Sequence, residues 1–154
     1  MLTRLKGKTM PAKWQKFRVD APDDFGPSMR EALGREVTEF IRKRSESGRD
    51  KNNKKFPKYS KSYKESLDFK NAGKTSKVDL TLSGDMLIAL DIISHKRGSI
   101  LIGYENGSQE NDKADGNVTG SYGKSSPRPS KARDFMGISQ SDLEKLTDKV
   151  RDNF

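Results

Sequence analysis

Apolar side chains in this sequence are gathered into one stretch, residues 80–104, and whatever the chain folds into must be built around it. With 154 residues there is enough chain for one modest core and not for two independent ones. Within the stretch the pattern changes twice. Leu80, Leu82, Met86, Leu87, Ile88 and Leu90 crowd around Ser83 and Gly84, which predicts a short helix over 83–90 with Ser83 or Asp85 as its cap. Ile92 and Ile93, then Ile100, Leu101 and Ile102, flank Lys96-Arg97-Gly98-Ser99. That order predicts a β-hairpin with strands at 91–96 and 99–104, and Gly98 in its turn. A lone hairpin is marginal in water, so its apolar face needs cover from elsewhere in the chain.

Two amphipathic segments can provide the cover. Met29, Leu33, Val37, Phe40 and Ile41 form one helical stripe over 27–44, with Pro27 suited to the first turn and Gly48 soon after the last apolar position. Near the end, Ser139 with Asp142 makes a capping-box-like start, and Leu143, Leu146 and Val150 share one face of the helix that follows. Phe135, Met136 and Ile138 predict a strand leading into it. Residues 1–26 sustain no period, yet hold Trp14, Phe17, Val19 and Phe25, so they read as an extended arm that docks on its own subunit or a neighbour. Long polar loops are expected at 45–79 and 105–131, the second being of a length that reaches for a partner. The expected fold is α+β, with a small, mostly antiparallel sheet. An N-terminal amphipathic helix and a C-terminal helix pack on it, and 27–154 form one domain behind the arm.

Residue types narrow the function. Cysteine is absent and His95 is the single histidine, which excludes disulfides, thiolate metal sites and multi-histidine sites. No Cys/His pair, GxSxG turn or P-loop pattern is present. The paired Asp23 and Asp24 lie in a polar segment, and Asp112, Asp115 and Lys113 lie in a Gly-rich one that holds metal ligands poorly. The expectation is a protein without catalysis, cofactor or metal. No apolar run approaches the roughly 20 residues that span a bilayer, and residues 1–10 lack the pattern of a secretory signal, so a cytosolic origin and no membrane partner are expected.

The net charge of +9 is focused, because residues 42–77 hold 13 basic residues against 4 acidic ones and the rest of the chain cancels at 18 against 18. Phe56, Pro57, Tyr59 and Tyr63 interrupt this block. Two readings are open: a solvated loop pinned by its aromatics, or a nucleic-acid-binding segment that uses phosphate contacts and base stacking. For the second, Arg49, Lys51, Lys54, Lys55, Lys58, Lys61 and Lys64 are the DNA-facing candidates. Candidate residues for contact with another subunit or partner are Trp14, Phe17, Phe25, Phe56, Tyr59, Tyr63, Tyr122, Arg133 and Phe135.

The order of four segments resembles the virion morphogenesis or tail-completion (neck) proteins of tailed bacteriophages. They are an amphipathic helix with a polar stretch and Phe56-Pro57-Lys58-Tyr59-Ser60; the helix start Leu82-Ser83-Gly84-Asp85-Met86-Leu87-Ile88-Ala89-Leu90; the hairpin end Ile102-Gly103-Tyr104; and residues 132–142, Ala-Arg-Asp-Phe-Met-Gly-Ile-Ser-Gln-Ser-Asp. The resemblance covers roughly 27–150, and the last segment is its most distinctive. Asp134 stands where the family has proline, and Tyr104-Glu105-Asn106-Gly107 replaces the family's stretch after the hairpin. The resemblance implies a small α+β fold assembled into a ring, commonly sixfold, between the tail tube or terminator and the head connector. A ring in the neck or tail of the virion also has genomic DNA as a possible partner, passing through it.

Overall fold

The three strands of the sheet run antiparallel in the order β1-β3-β2 in the computed structural model, which describes residues 12–57, 85–121 and 129–154. Strand β2 (Asp91–Lys96) and strand β3 (Ser99–Gly103) form the expected hairpin, closed by Arg97 and by Gly98 at φ +80°, a left-handed conformation that glycine adopts without strain. The register shifts by one residue between Ile92 and Ser94, so Ile93 is bulged. Strand β1 (Lys16–Asp20) pairs with the other side of β3, with Phe17 opposite Ile102 and Val19 opposite Ile100. The extended segment therefore docks on its own chain and completes the sheet. Residues 1–11 of the expected arm lie outside the described residues.

Helix α1 (Pro27–Glu46) covers the inner face, burying Leu33, Val37 and Ile41 against Val19, Ile100 and Ile102. Pro27 opens it and Gly48, at φ +89°, follows its end. Gly34 sits where helix and sheet come closest, since a β-carbon there would lie 2.5 Å from Ile92 Cδ1. The chain re-enters description at α2 (Asp85–Ile88), one turn within the predicted 83–90. So short a helix leaves its last carbonyls short of donors, Leu87 O taking only a long bond from Leu90 N at 3.4 Å, and Arg42 of α1 supplies more: Nε donates to Leu87 O at 2.8 Å, and Nη2 to Ile88 O at 3.3 Å and to Leu90 O just beyond at 2.7 Å.

Two expectations are corrected. Residues 105–131 are not one long loop, because they contain α3 (Gln109–Thr119), with Ser108 as N-cap and Gly120 at φ +77° beyond its end. Residues 135–138 form no strand; their irregular backbone is held by α1 rather than by a β-ladder. The final helix α4 (Gln140–Asp152) begins as expected, with Ser139 Oγ accepting from Asp142 N at 3.2 Å, and packs beside α1 through the buried Leu143 and Val150. The Lys149–Glu36 ion pair at 3.0 Å joins the two helices at their rim. No helix among the described residues is long and apolar enough to cross a membrane.

Candidate functional site

The helix that the hydrophobic pattern does not reveal is what positions the start of β1. Asn111 of α3 points its carboxamide at residues 13–15: Oδ1 accepts from Gln15 N at 2.7 Å and Nδ2 donates to Lys13 O at 3.0 Å. One buried side chain thus imitates the edge of a neighbouring strand just where β3 has ended. Asp115, one turn on, accepts from Gln15 Nε2 at 2.8 Å. Trp14 Nε1 donates to Tyr104 O at 2.6 Å, and Lys16 Nζ stands 4.9 Å from the centre of the indole. Tyr104 in turn is buried and donates its hydroxyl to Met86 O at 2.8 Å; burial pushes that hydroxyl well above the usual phenol range, so it remains a donor.

A second buried polar anchor lies at the other end of α1. Arg44 donates through Nη1 to Gly137 O at 2.9 Å and through Nη2 to Phe135 O at 2.7 Å. Burial pulls its guanidinium below the usual range, opposed by the charges of Asp50, Asp142 and Asp134. Arg44 Nε and Ser45 Oγ are left without a hydrogen-bond partner among the described residues. Lys51 adds its amide to Asp134 O at 2.9 Å and its ammonium to the Asp134 carboxylate at 2.9 Å. Asp134 is thus tied to the turn after α1.

The sequence-based interface candidates separate on this geometry. Phe25, Phe56 and Phe135 are 1%, 6% and 0% exposed, so they belong to the chain's own core and are not offered to a partner. Phe135 meets Tyr104 edge-on at 6.5 Å, and Arg151 covers Phe25 at 4.9 Å while pairing with Asp24 at 2.8 Å. Arg133 joins three segments, its amide donating to Asn117 O at 2.6 Å and its Nε to Pro57 O at 3.3 Å. Trp14 remains 38% exposed and Phe17 is partly buried at the sheet edge. Tyr59, Tyr63 and Tyr122 lie outside the described residues.

The basic block changes character as well. Arg42 and Arg44 bind backbone carbonyls, Arg49 donates to Asn53 O at 2.9 Å within the turn over 49–55, and Lys51 pairs with Asp134. Lys54 and Lys55 are exposed there; Lys58, Lys61 and Lys64 lie outside the described residues. Described residues hold 20 basic against 19 acidic groups, so 8 of the 9 net charges belong to 1–11, 58–84 and 122–128. Among the described residues no group of three His, Cys, Asp or Glu is placed to hold a metal ion. Asp115 is engaged by Gln15, and His95 accepts from Arg30 Nε at 3.0 Å, bridging β2 to α1.

Among the described residues, what remains open is the sheet itself. Its outer face carries Lys16, Arg18 and Asp20 on β1, Ser99, Leu101 and Gly103 on β3, and Asp91, Ser94 and Lys96 on β2. The charged members are exposed. Tyr104 N bonds to Gln15 O and Ala21 N to Gly98 O, so the odd residues of β1 face β3 and the backbone groups of Lys16, Arg18 and Asp20 point to an edge that is free among the described residues. The β2 edge is blunted by its bulge and by Asp91, whose carboxylate takes Ile92 N at 2.7 Å. No family model, curated protein or solved structure matches the chain.

Proposed function

We propose that the chain is a structural subunit of the neck or tail end of a tailed bacteriophage, forming a sixfold ring that joins the tail to the head connector within the virion. The observation that carries this reading is the open sheet: one face and one unblunted edge have no cover from any described element. A subunit with a core this small gains stability by giving such a surface to neighbours. The order of the four resembling segments supports the same reading, and the most distinctive of them, 132–142, seats α4 on α1 through Arg44. Its partners are then copies of itself, the tail tube or terminator, and the head connector.

Native mass spectrometry with electron microscopy of the full chain, alone and mixed with tail and connector proteins from the same genome, tests it. Closed rings, or rings that appear only with those partners, are expected. A chain that stays monomeric in their presence sinks the proposal. A second reading, a nucleic-acid-binding module, is favoured by the separation of charge: an almost neutral frame with its excess in three segments. Duplex DNA retarded at low salt and released as salt rises is its signature, and absence of any low-salt affinity removes it.

A further inference from the structure

We infer that the free edge of β1 pairs with the same edge of a second copy about a twofold axis through Arg18, merging two three-stranded sheets into one of six strands. The edge offers the N–H and C=O groups of Lys16, Arg18 and Asp20, and none of these has a partner among the described residues. Antiparallel pairing about Arg18 sets Lys16 against the partner's Asp20 and Asp20 against the partner's Lys16. Lys16, Arg18 and Asp20, the members of these opposed pairs, have their backbone groups directed at the shared edge, as a hydrogen-bonded ladder requires. The charges are complementary at both ends, and directly opposite unlike charges stabilise a strand pair. At the centre two arginines meet, but each Arg18 is drawn inward over its own sheet by Nη1 donating to Ser99 Oγ at 2.8 Å.

The inner face agrees with the outer one. In this register Phe17, partly buried in its own subunit, comes alongside the partner's Val19, and the reverse contact forms by symmetry. A shallow groove of about 310 Å³ lies at this end of β1, between residues 20–22 and the Leu143, Glu144 and Thr147 face of α4, and gives the partner's Phe17 room beside Leu143. Pro22 prevents the ladder from running further and so fixes its length. The β2 edge lacks all of this, being bulged and self-capped by Asp91. The twofold contact takes up the edge alone and leaves the open outer face of the sheet for ring closure. In a chain that forms rings through that face, this edge joins two rings back to back.

Sedimentation of the full chain over a concentration series tests the pairing. The unmodified chain is expected to show twofold association, as dimers or as paired rings. Lys16→Asp and Asp20→Lys each place like charges at both ends of the ladder and are expected to weaken association roughly tenfold or more. The double swap, Lys16→Asp with Asp20→Lys, restores it. Arg18→Pro removes an N–H that faces the free edge, so it abolishes pairing while the far-ultraviolet circular dichroism and the β1 to β3 bonds are retained. Unassociated monomers or single rings at every concentration overturn the inference, as does twofold association indifferent to both charge reversals. Dimers without rings support it while refuting the sixfold reading.

Discussion

Arg44 lies in the most basic part of the sequence, yet its guanidinium is buried and holds two main-chain carbonyls rather than facing a polyanion. Carbonyls at 135–137 have no strand partner, so a fixed donor fork reaching them from α1 is what seats the start of α4. Arg44→Ala takes the side-chain donor from Gly137 O and leaves Phe135 O with only the Gly137 amide at 3.1 Å, and it is expected to cost about 2 to 4 kcal/mol. Urea unfolding followed by circular dichroism measures it, and a loss within about 0.5 kcal/mol would contradict this role. At the opposite rim the Arg151 guanidinium, chiefly by hydrogen bonding, holds the Asp24 carboxyl below its ordinary value of 3.8. A depressed carboxylate stabilises the fold above its unfolded pKa, and that contribution disappears as pH falls through the folded one. The unmodified chain should therefore exceed Asp24→Asn in thermal stability at neutral pH by a small margin that closes only below pH 3.8. A margin that persists unchanged at still lower pH would show that the ion pair is not its source.

Among the elements, α3 is the one whose presence rests on polar contacts. Its buried side is Asn111, Ala114, Asp115 and Gly116, which carries almost no hydrophobic period, so a search for apolar stripes passes over it. Ser108 before it and Gly120 after it are the signals that mark its ends. Asn111→Asp retains the acceptor for Gln15 N but presents an oxygen to Lys13 O in place of a donor. It is expected to destabilise by about 1 to 3 kcal/mol and to free the start of β1. The single tryptophan, Trp14, reports this directly through a red shift of its emission, and an unshifted spectrum would refute the clamp. The packing of α1 on β2 gives a second test. Gly34→Ala gains about 1 kcal/mol of helix propensity, but its methyl would meet Ile92 Cγ1 at 2.6 Å with Ile100 Cγ2 at 3.5 Å behind it. Overpacking should win and leave the variant about 1 to 3 kcal/mol less stable. Combining it with Ile92→Ala should cost less than the sum of the two single changes.

Across the whole molecule, net charge is divided unevenly along the chain. The described residues are almost neutral, with 20 basic against 19 acidic groups, and the basic excess belongs to 1–11, 58–84 and 122–128. Any binding to DNA should then follow the lysines of 58–84 and not the arginines of α1. Replacing Lys58, Lys61 and Lys64 with glutamine should weaken retention of duplex DNA and lower the slope of log affinity against log salt by roughly one for each phosphate that is no longer neutralised. Arg42→Gln should change stability instead, because Arg42 closes the end of α2. An unaltered salt slope in the triple variant would remove these lysines from the DNA-binding reading.

Local pattern determined the frame. The Ile-rich runs around Gly98 specified the hairpin to within one residue, and the stripe from Met29 to Ile41 and the Ser139 cap specified the two long helices, because periodicity and capping are short-range properties that the sequence displays directly. Tertiary structure alone decided which charged and aromatic groups face inward. Arg42, Arg44, Phe25, Phe56 and Phe135 look like surface or interface residues when read in order, and each is placed by carbonyls or core side chains far away in sequence. The same holds for β1 and α3. Neither has a sustained apolar period, and each exists because the other, or β3, satisfies its backbone and polar groups: Asn111 completes the ladder along 13–15, and Ile100 and Ile102 receive Val19 and Phe17. Long-range hydrogen bonds of this kind leave no spacing in the sequence, since their partners are brought together only when the core closes.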